Sequence, residues 1–338
     1  MFFYIFPLFF IFLKSITKSN RNLETIIFYF LCLFITLMIG LRNEIGGDWN
    51  AYLEIYKKSR ESPWLEFSSD PIYSLINKAS PNIFYVNTIC AIIGTIPTIF
   101  FLRSHKNFYL SFFICFTYFY SIVGMGYTRQ FAAAGLFYLA IILNNKGKVK
   151  LSILASLLAS GFHSSIILLI PIIYFERIKN LKSIIFIIAL LVSLFLLFFE
   201  KINRFVLLYL TESDLNSSGA LYRTTLHLIA SFTLILTFKY LEFKNKNILK
   251  FYFLISISSF LLLITIPSTT FVDRFLVYLI PLQAIIIANL SESPYFKDKW
   301  IKFFARTTIA SAYFLLFFIW LEKSSFRPYW IPYKSIFF

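Results

Sequence analysis

Five groups of ionisable side chains interrupt an otherwise apolar chain. They are Arg42 with Asp48 in LRNEIGGDWNAY, Arg129 in GMGYTRQ, His163 in GFHSS, Arg223 with His227, and Asp273 with Arg274. Charge at membrane depth is costly and marks cavities or substrate paths. The residue types also suit one chemistry. Guanidinium forks bind phosphate oxygens bidentately. An imidazole titrates near neutrality and can take a proton from an attacking hydroxyl. A fixed carboxylate can act as a base or accept a sugar hydroxyl. Together they read as an active site for a charged, membrane-delivered substrate.

Each residue has a plainer alternative. Arg42 ends an apolar run and could snorkel to the interface. Asp48 follows Gly46-Gly47 and could simply cap the helix that the Trp49, Tyr52, Tyr56 stripe predicts. Arg129 lies just after Gly124-Met125-Gly126, where one apolar run stops and the next begins. A cation at a helix start opposes the macrodipole unless an anion is bound there. Arg223 and His227 are four apart, so they share a face and could form a buried polar pair. Adjacent Asp273 and Arg274 need not face each other; Asp273 could cap a helix, which leaves Arg274 the better ligand. His163 lies between Gly161 and Ser164-Ser165 and is the sharpest general-base candidate, with Asp48 second. His105 sits in a basic loop and is set aside.

The elements that must position these groups are long apolar helices. Of the 338 residues, 59% are hydrophobic and 14% charged, against roughly 45–50% and 25% in soluble domains. Apolar runs occur at about 2–13, 23–41, 82–102, 108–124, 127–143, 151–175, 182–199, 222–240, 249–266, 274–290 and 303–320. Many reach the ~17–25 residues a membrane-crossing helix needs. The fold class is all-α: a polytopic helical membrane protein forming one transmembrane domain over 1–338, with an outer loop at 42–81.

Charge sets the expected topology. The connections around 14–21, 103–106, 146–150, 176–182, 239–250 and 292–302 are rich in Lys and Arg and belong in the cytoplasm. Residues 42–81 hold five basic and six acidic groups, and 200–220 and 267–273 are balanced or acidic, so these face outward. Residues 144–150 and 176–182 are both basic although only the run 151–175 separates them. A re-entrant hairpin broken at Gly161-Phe162-His163-Ser164 satisfies both, and such broken helices are tolerated where they are buried or line a polar cavity. About ten spans plus this hairpin then bring all five ionisable groups to the outer face. The aromatic segment with Arg327, Trp330, Tyr333 and Lys334 joins them in the interfacial belt. A single ordinary span through 151–175 is the alternative.

The net charge of +16 follows from the cytoplasmic loops and does not indicate nucleic acid, which would need a basic soluble segment with exposed aromatics. Cys32, Cys90 and Cys115 sit in apolar runs without CxxC or His pairing, so no disulfide, metal or redox site is read. There is no Walker loop, GxGxxG, GxSxG or HExxH, and no cofactor is implied. Asn216-Ser217-Ser218 is a weak glycosylation pattern.

The segments LRNEIGGDWNAYLEIY, GMGYTRQFAAAGLFYLAI, SGFHSSIILLIPIIYF and VDRFLVYLIPLQ resemble, in that order, the EpsG-like branch of the Wzy polysaccharide polymerases. The resemblance implies a bacterial inner-membrane glycosyltransferase with a GT-C-like helical fold, no metal, and an active site facing the periplasm. The donor and acceptor would be undecaprenyl-diphosphate-linked oligosaccharide repeats, joined into O-antigen, capsule or exopolysaccharide. A chain-length regulator is a further implied partner, alongside membrane lipid.

In such a transfer an acceptor hydroxyl loses a proton, the sugar passes through an oxocarbenium-like state, and a diphosphate departs. Arg129 and Arg274 are then assigned to the diphosphate, with Arg42 and Arg223 assisting. His163 or Asp48 is the base, and Asp273 orients a base or a sugar hydroxyl. Two other classes remain open: a lipid-linked oligosaccharide flippase, and a membrane O-acyltransferase with His as base. A flippase would need midplane polar sites and commonly shows repeats; an acyltransferase would need a route for a cytoplasmic acyl donor.

Overall fold

A computed structural model describes residues 1–17, 21–63, 70–177, 217, 219–265 and 268–337. The described residues form helices, with one isolated β-bridge between Arg42 and Ser335. Among the described residues, seven helices are long and apolar enough to cross a membrane: Asn22–Gly40, Ile83–Arg103, Phe108–Gly126, Ala220–Thr237, Asn247–Thr265, Thr269–Leu290 and Lys299–Lys323. Shorter apolar helices accompany them, and the protein is a polytopic helical membrane protein. The apolar run 182–199 and most of the segment 200–220, expected to face outward, fall outside the described residues.

The chain divides into two compact units, Met1–Ile166 with Ala284–Phe338, and Ile167–Gln283. The first contains α1 (Phe2–Ile16), α2 (Arg21–Gly40), α3 (Trp49–Glu61), α4 (Pro71–Ala79), α5 (Ile83–Arg103), α6 (Phe108–Gly126), α7 (Thr128–Asn145) and α8 (Val149–Phe162). The second contains α9 (Ile170–Tyr174), α10 (Ala220–Thr237), α11 (Asn247–Thr265) and α12 (Thr269–Leu276). Most of α13 (Ile280–Leu290) and all of α14 (Lys299–Lys323) return to the first unit.

In the first unit, α5 lies between α2 and α7. Small residues set the spacing. A Cβ added to Gly135 of α7 would lie 2.0 Å from the Ile93 carbonyl oxygen, and one on Gly94 of α5 would strike the Phe131 ring at 2.3 Å. Small residues let helices inside a membrane approach to backbone contact, where dispersion rather than the hydrophobic effect holds them. The free thiols Cys32, Cys90 and Cys115 are buried in this packing.

Two breaks in these helices matter for the site. Helix α6 winds as a π-helix over Phe116–Val123 and stops at Gly126; Tyr127 (φ −120°, ψ 59°) separates it from α7. Helix α8 stops at Phe162, His163 is extended (φ −158°, ψ 116°), and a 3-10 turn follows over Ser164–Leu169. The interruption lies where the Gly161–Ser164 segment predicts it. Arms of 14 and 11 residues flank it, Val149–Phe162 and Ser164–Tyr174, each shorter than an ordinary span. The loop 42–81, expected on the outer face, is not open chain: its described parts fold into α3 and α4. Trp49 and Tyr52, the first two residues of the aromatic stripe, are buried.

Candidate active site

In the first unit, a residue outside the sequence-derived set organises the cluster. Asp70 precedes Pro71 at the start of α4, and proline suits a first helical position because it has no N–H to leave unsatisfied. The Asp70 carboxylate is 3% exposed, and its Oδ2 accepts from Arg129 Nη1 at 2.6 Å and lies 3.4 Å from His163 Nδ1. Arg129 comes from the first turn of α7 and His163 from the break after α8, so three separate stretches meet at one oxygen. The anion that the α7 start calls for is supplied, in part, by the protein itself.

The surroundings hold this cluster in shape. The Arg129 guanidinium carbon lies 5.7 Å from the Tyr52 ring centroid and 6.0 Å from that of Tyr73, and the two tyrosines meet edge to face. Cation–π contact stabilises a guanidinium most where water is excluded. Burial raises the pKa of both phenols, so they stay neutral and do not compete as bases. The Arg129 side chain keeps 30% exposure, and its Nε is buried without a hydrogen-bond partner among the described residues. Its donor capacity is therefore not spent on Asp70 alone. A carboxylate opposite His163 Nδ1 favours the tautomer with the proton on Nδ1, which leaves the Nε2 lone pair as the basic site.

Arg42 lies in the interior of the same unit, only 1% exposed. Its Nη1 donates to the Ile39 carbonyl (2.5 Å), its Nε to that of Ile45 (3.3 Å), and its Nη2 to Thr128 Oγ1 (2.7 Å) and Asn87 Oδ1 (3.3 Å). The fork is spent on neutral protein acceptors, and it ties the end of α2 to α5 and to the residue preceding Arg129. Asp48 occupies the N-cap position of α3, half-buried, without a side-chain capping bond.

The second unit holds the other charged groups. Arg223 of α10 grips Asp273 of α12 with two donors: Nε to Oδ1, and Nη2 to Oδ2 at 2.7 Å. Ser217 Oγ joins the pair, 2.6 Å from Arg223 Nη2 and 3.0 Å from Asp273 Oδ2. Helix α12 starts after Ser268, so Asp273 lies inside it rather than at its cap, and it is buried. Arg274, on the next bearing of the helix, is exposed. His227 Nδ1 lies 3.0 Å from the Tyr252 hydroxyl of α11, in a buried contact.

Sequence spacing thus brings forward Arg129 and His163, and the structure joins them. It misses Asp70, whose signal was an Asp-Pro step opening a short amphipathic segment. It also misses the Arg223–Asp273 pair, because 50 residues separate the partners. Among the described residues, no three His, Cys, Asp or Glu side chains group as a metal site.

The EpsG family model matches residues 25–335. The chain belongs to the EpsG family. Membership points to a membrane protein of glycosyltransferase type associated with polysaccharide. No curated protein and no solved structure matches the chain. Within this EpsG-family chain the match covers Asp70, Arg129, His163, Arg223 and Asp273 alike.

Proposed function

We propose that this protein polymerises polyprenyl-diphosphate-linked oligosaccharide repeats on the periplasmic face of a bacterial inner membrane. The observation that carries the reading is the Asp70 carboxylate placed between Arg129 and His163. Family membership supports the glycosyltransferase class; the cluster supports the division of labour.

In this reading, His163 Nε2 takes the proton from the acceptor hydroxyl as that oxygen attacks the anomeric carbon of the donor. Asp70 fixes the imidazole and stabilises its protonated form. The bond from the anomeric carbon to the diphosphate oxygen breaks, and the polyprenyl diphosphate departs with that electron pair. Arg129, held by Asp70 and the two tyrosines, offers its remaining donors to the departing phosphate. Prepositioned donors of this kind are worth ~10²–10³-fold each, and a general base ~10²–10⁴-fold. Arg274, exposed on α12, is a phosphate contact of the second unit considered by itself. Arg42, Arg223 and Asp273 act as positioning groups, because their hydrogen bonds go to the protein. Asp48 is the alternative base.

The test is the surface glycan of cells carrying Arg129→Ala, with the protein confirmed in the membrane. Polymerase loss leaves single repeats in place of the ladder. An unchanged ladder removes Arg129 from the mechanism. Absence of any surface repeat would favour a flippase, and full-length chains lacking an acyl group an acyltransferase.

A further inference from the structure

The segment after α14 is largely exposed, but it plants selected side chains inside the protein. It folds into the first unit, with Trp330 4% and Tyr333 8% exposed. Backbone bonds bind it to the loop after α2: Asn43 N–H to the Lys334 carbonyl (3.0 Å), Ile336 N–H to that of Leu41 (3.0 Å), and Gly46 N–H to that of Tyr329 (2.9 Å). The Tyr333 hydroxyl donates to the Met38 carbonyl at 2.8 Å, and Tyr4 donates to that of Trp330 at 3.1 Å.

Trp330 sits at the centre of this junction. Its indole N–H donates to the Ser121 carbonyl, inside the π-helical stretch of α6, at 2.9 Å. A Cβ on Gly126 would lie 3.1 Å from the indole, and one on Gly47 would lie 3.9 Å from it. Gly46 has a positive φ of 107°, and a Cβ there would be 2.5 Å from the Met125 carbonyl oxygen. The loop 41–47, the bend 125–127 and the Trp330 ring therefore meet at van der Waals distance. From the loop, Arg42 reaches Thr128; from the bend, α7 begins and carries Arg129 in its first turn. π-Turns recur at functional sites, and here the irregular carbonyl has an indole as its partner.

We infer that Trp330 is a positioning residue for Arg129: it wedges the α6–α7 bend and so sets the direction in which the guanidinium leaves α7. The inference rests on Arg129 serving the transfer step. It is tested on the full-length protein in detergent or nanodiscs, with Trp330→Ala and Trp330→Phe. The first readout needs no activity: hydrogen exchange of amides 41–47 and 124–130, against 220–237 as an internal reference. The second is polymerisation rate against donor concentration.

Trp330→Ala should speed exchange in both segments, leave 220–237 unchanged, and lower kcat by ~10–10²-fold with little change in KM, as a small misplacement of a catalytic group does. Trp330→Phe, which keeps a ring but loses the N–H, should lower kcat by about 3-fold, the scale of one net hydrogen bond. If Trp330→Ala does not fold, the Phe variant decides. Unchanged exchange at 124–130, or faster exchange with wild-type kcat, overturns the inference. If Arg129→Ala itself retains wild-type kcat, the catalytic reading fails, while the exchange data still report whether Trp330 holds the bend.

Discussion

Replacing Asp70 separates its charge from its hydrogen bonding, because Arg129 and His163 converge on one oxygen. In Asp70→Asn the amide oxygen can occupy the Oδ2 position and still accept from Arg129 Nη1 and His163 Nδ1. What disappears is the negative charge. Hydrogen bonds to ionised groups contribute about 1.5–3 kcal/mol against about 1 kcal/mol for neutral ones, so the amide forfeits on the order of 1–2 kcal/mol at the imidazolium that forms during transfer. That is roughly a 10-fold loss of rate. Asp70→Ala removes the acceptor altogether. The His163 tautomer is then no longer selected and Arg129 loses its anchor, so most of the general-base contribution of ~10²–10⁴-fold should go. The stability cost should be about 2 kcal/mol, below the 3–5 kcal/mol of a fully buried pair because Arg129 is 30% exposed. The assay is the rate of repeat addition by purified protein, normalised to folded protein, with thermal unfolding of each variant alongside. A graded order, wild type above Asn above Ala, is the expected result. An Ala variant that turns over at the wild-type rate would refute the dyad.

Other perturbations test single contacts. Arg42→Lys cannot reproduce a fork bonded to four acceptors and should destabilise the first unit by roughly 2–3 kcal/mol, seen in thermal unfolding, while KM for the lipid-linked donor stays near wild type. Arg223→Gln and Asp273→Asn should be non-additive, with a coupling of about 1–3 kcal/mol in a double-mutant cycle on unfolding; strict additivity would mean the pair contributes nothing. Gly219→Ala should behave as a weaker Arg223 variant, since its Cβ would arrive 2.2 Å from Arg223 Nη1. Gly135→Ala meets a backbone carbonyl that cannot rotate away, so overpacking should cost about 1–3 kcal/mol or more and lower the yield of folded protein from membranes.

The helical class was legible from hydropathy, because a membrane helix needs a long apolar run and little else. The interruption at His163 was legible too: Gly161 and paired serines are poor helix formers in mid-run, and the basic flanks demanded a turn there. Local signals failed where the partner lies far along the chain. Asp70 looked like one of six acids in a mixed loop, and nothing near it in sequence announces Arg129, 59 residues away. His227 and Arg223 share a helix face as their spacing requires, yet each turns to a different neighbour, Tyr252 and Asp273. Spacing fixes which side of a helix a residue occupies; it does not say which helix will stand opposite. Composition placed Trp330 and Tyr333 near the membrane interface, but it does not show that their rings pack inside the first unit.

The glycine contacts between α5 and α7 have one more implication. Their separation is determined by side chains that are missing, so it does not depend on what coats the outside of the bundle. Exposed residues such as Ile92, Ile96 and Phe100 of α5 need only be oily to serve. Such an exterior can be rewritten freely over evolutionary time while the interior gauge, and the geometry of the charged cluster built on it, stays constant.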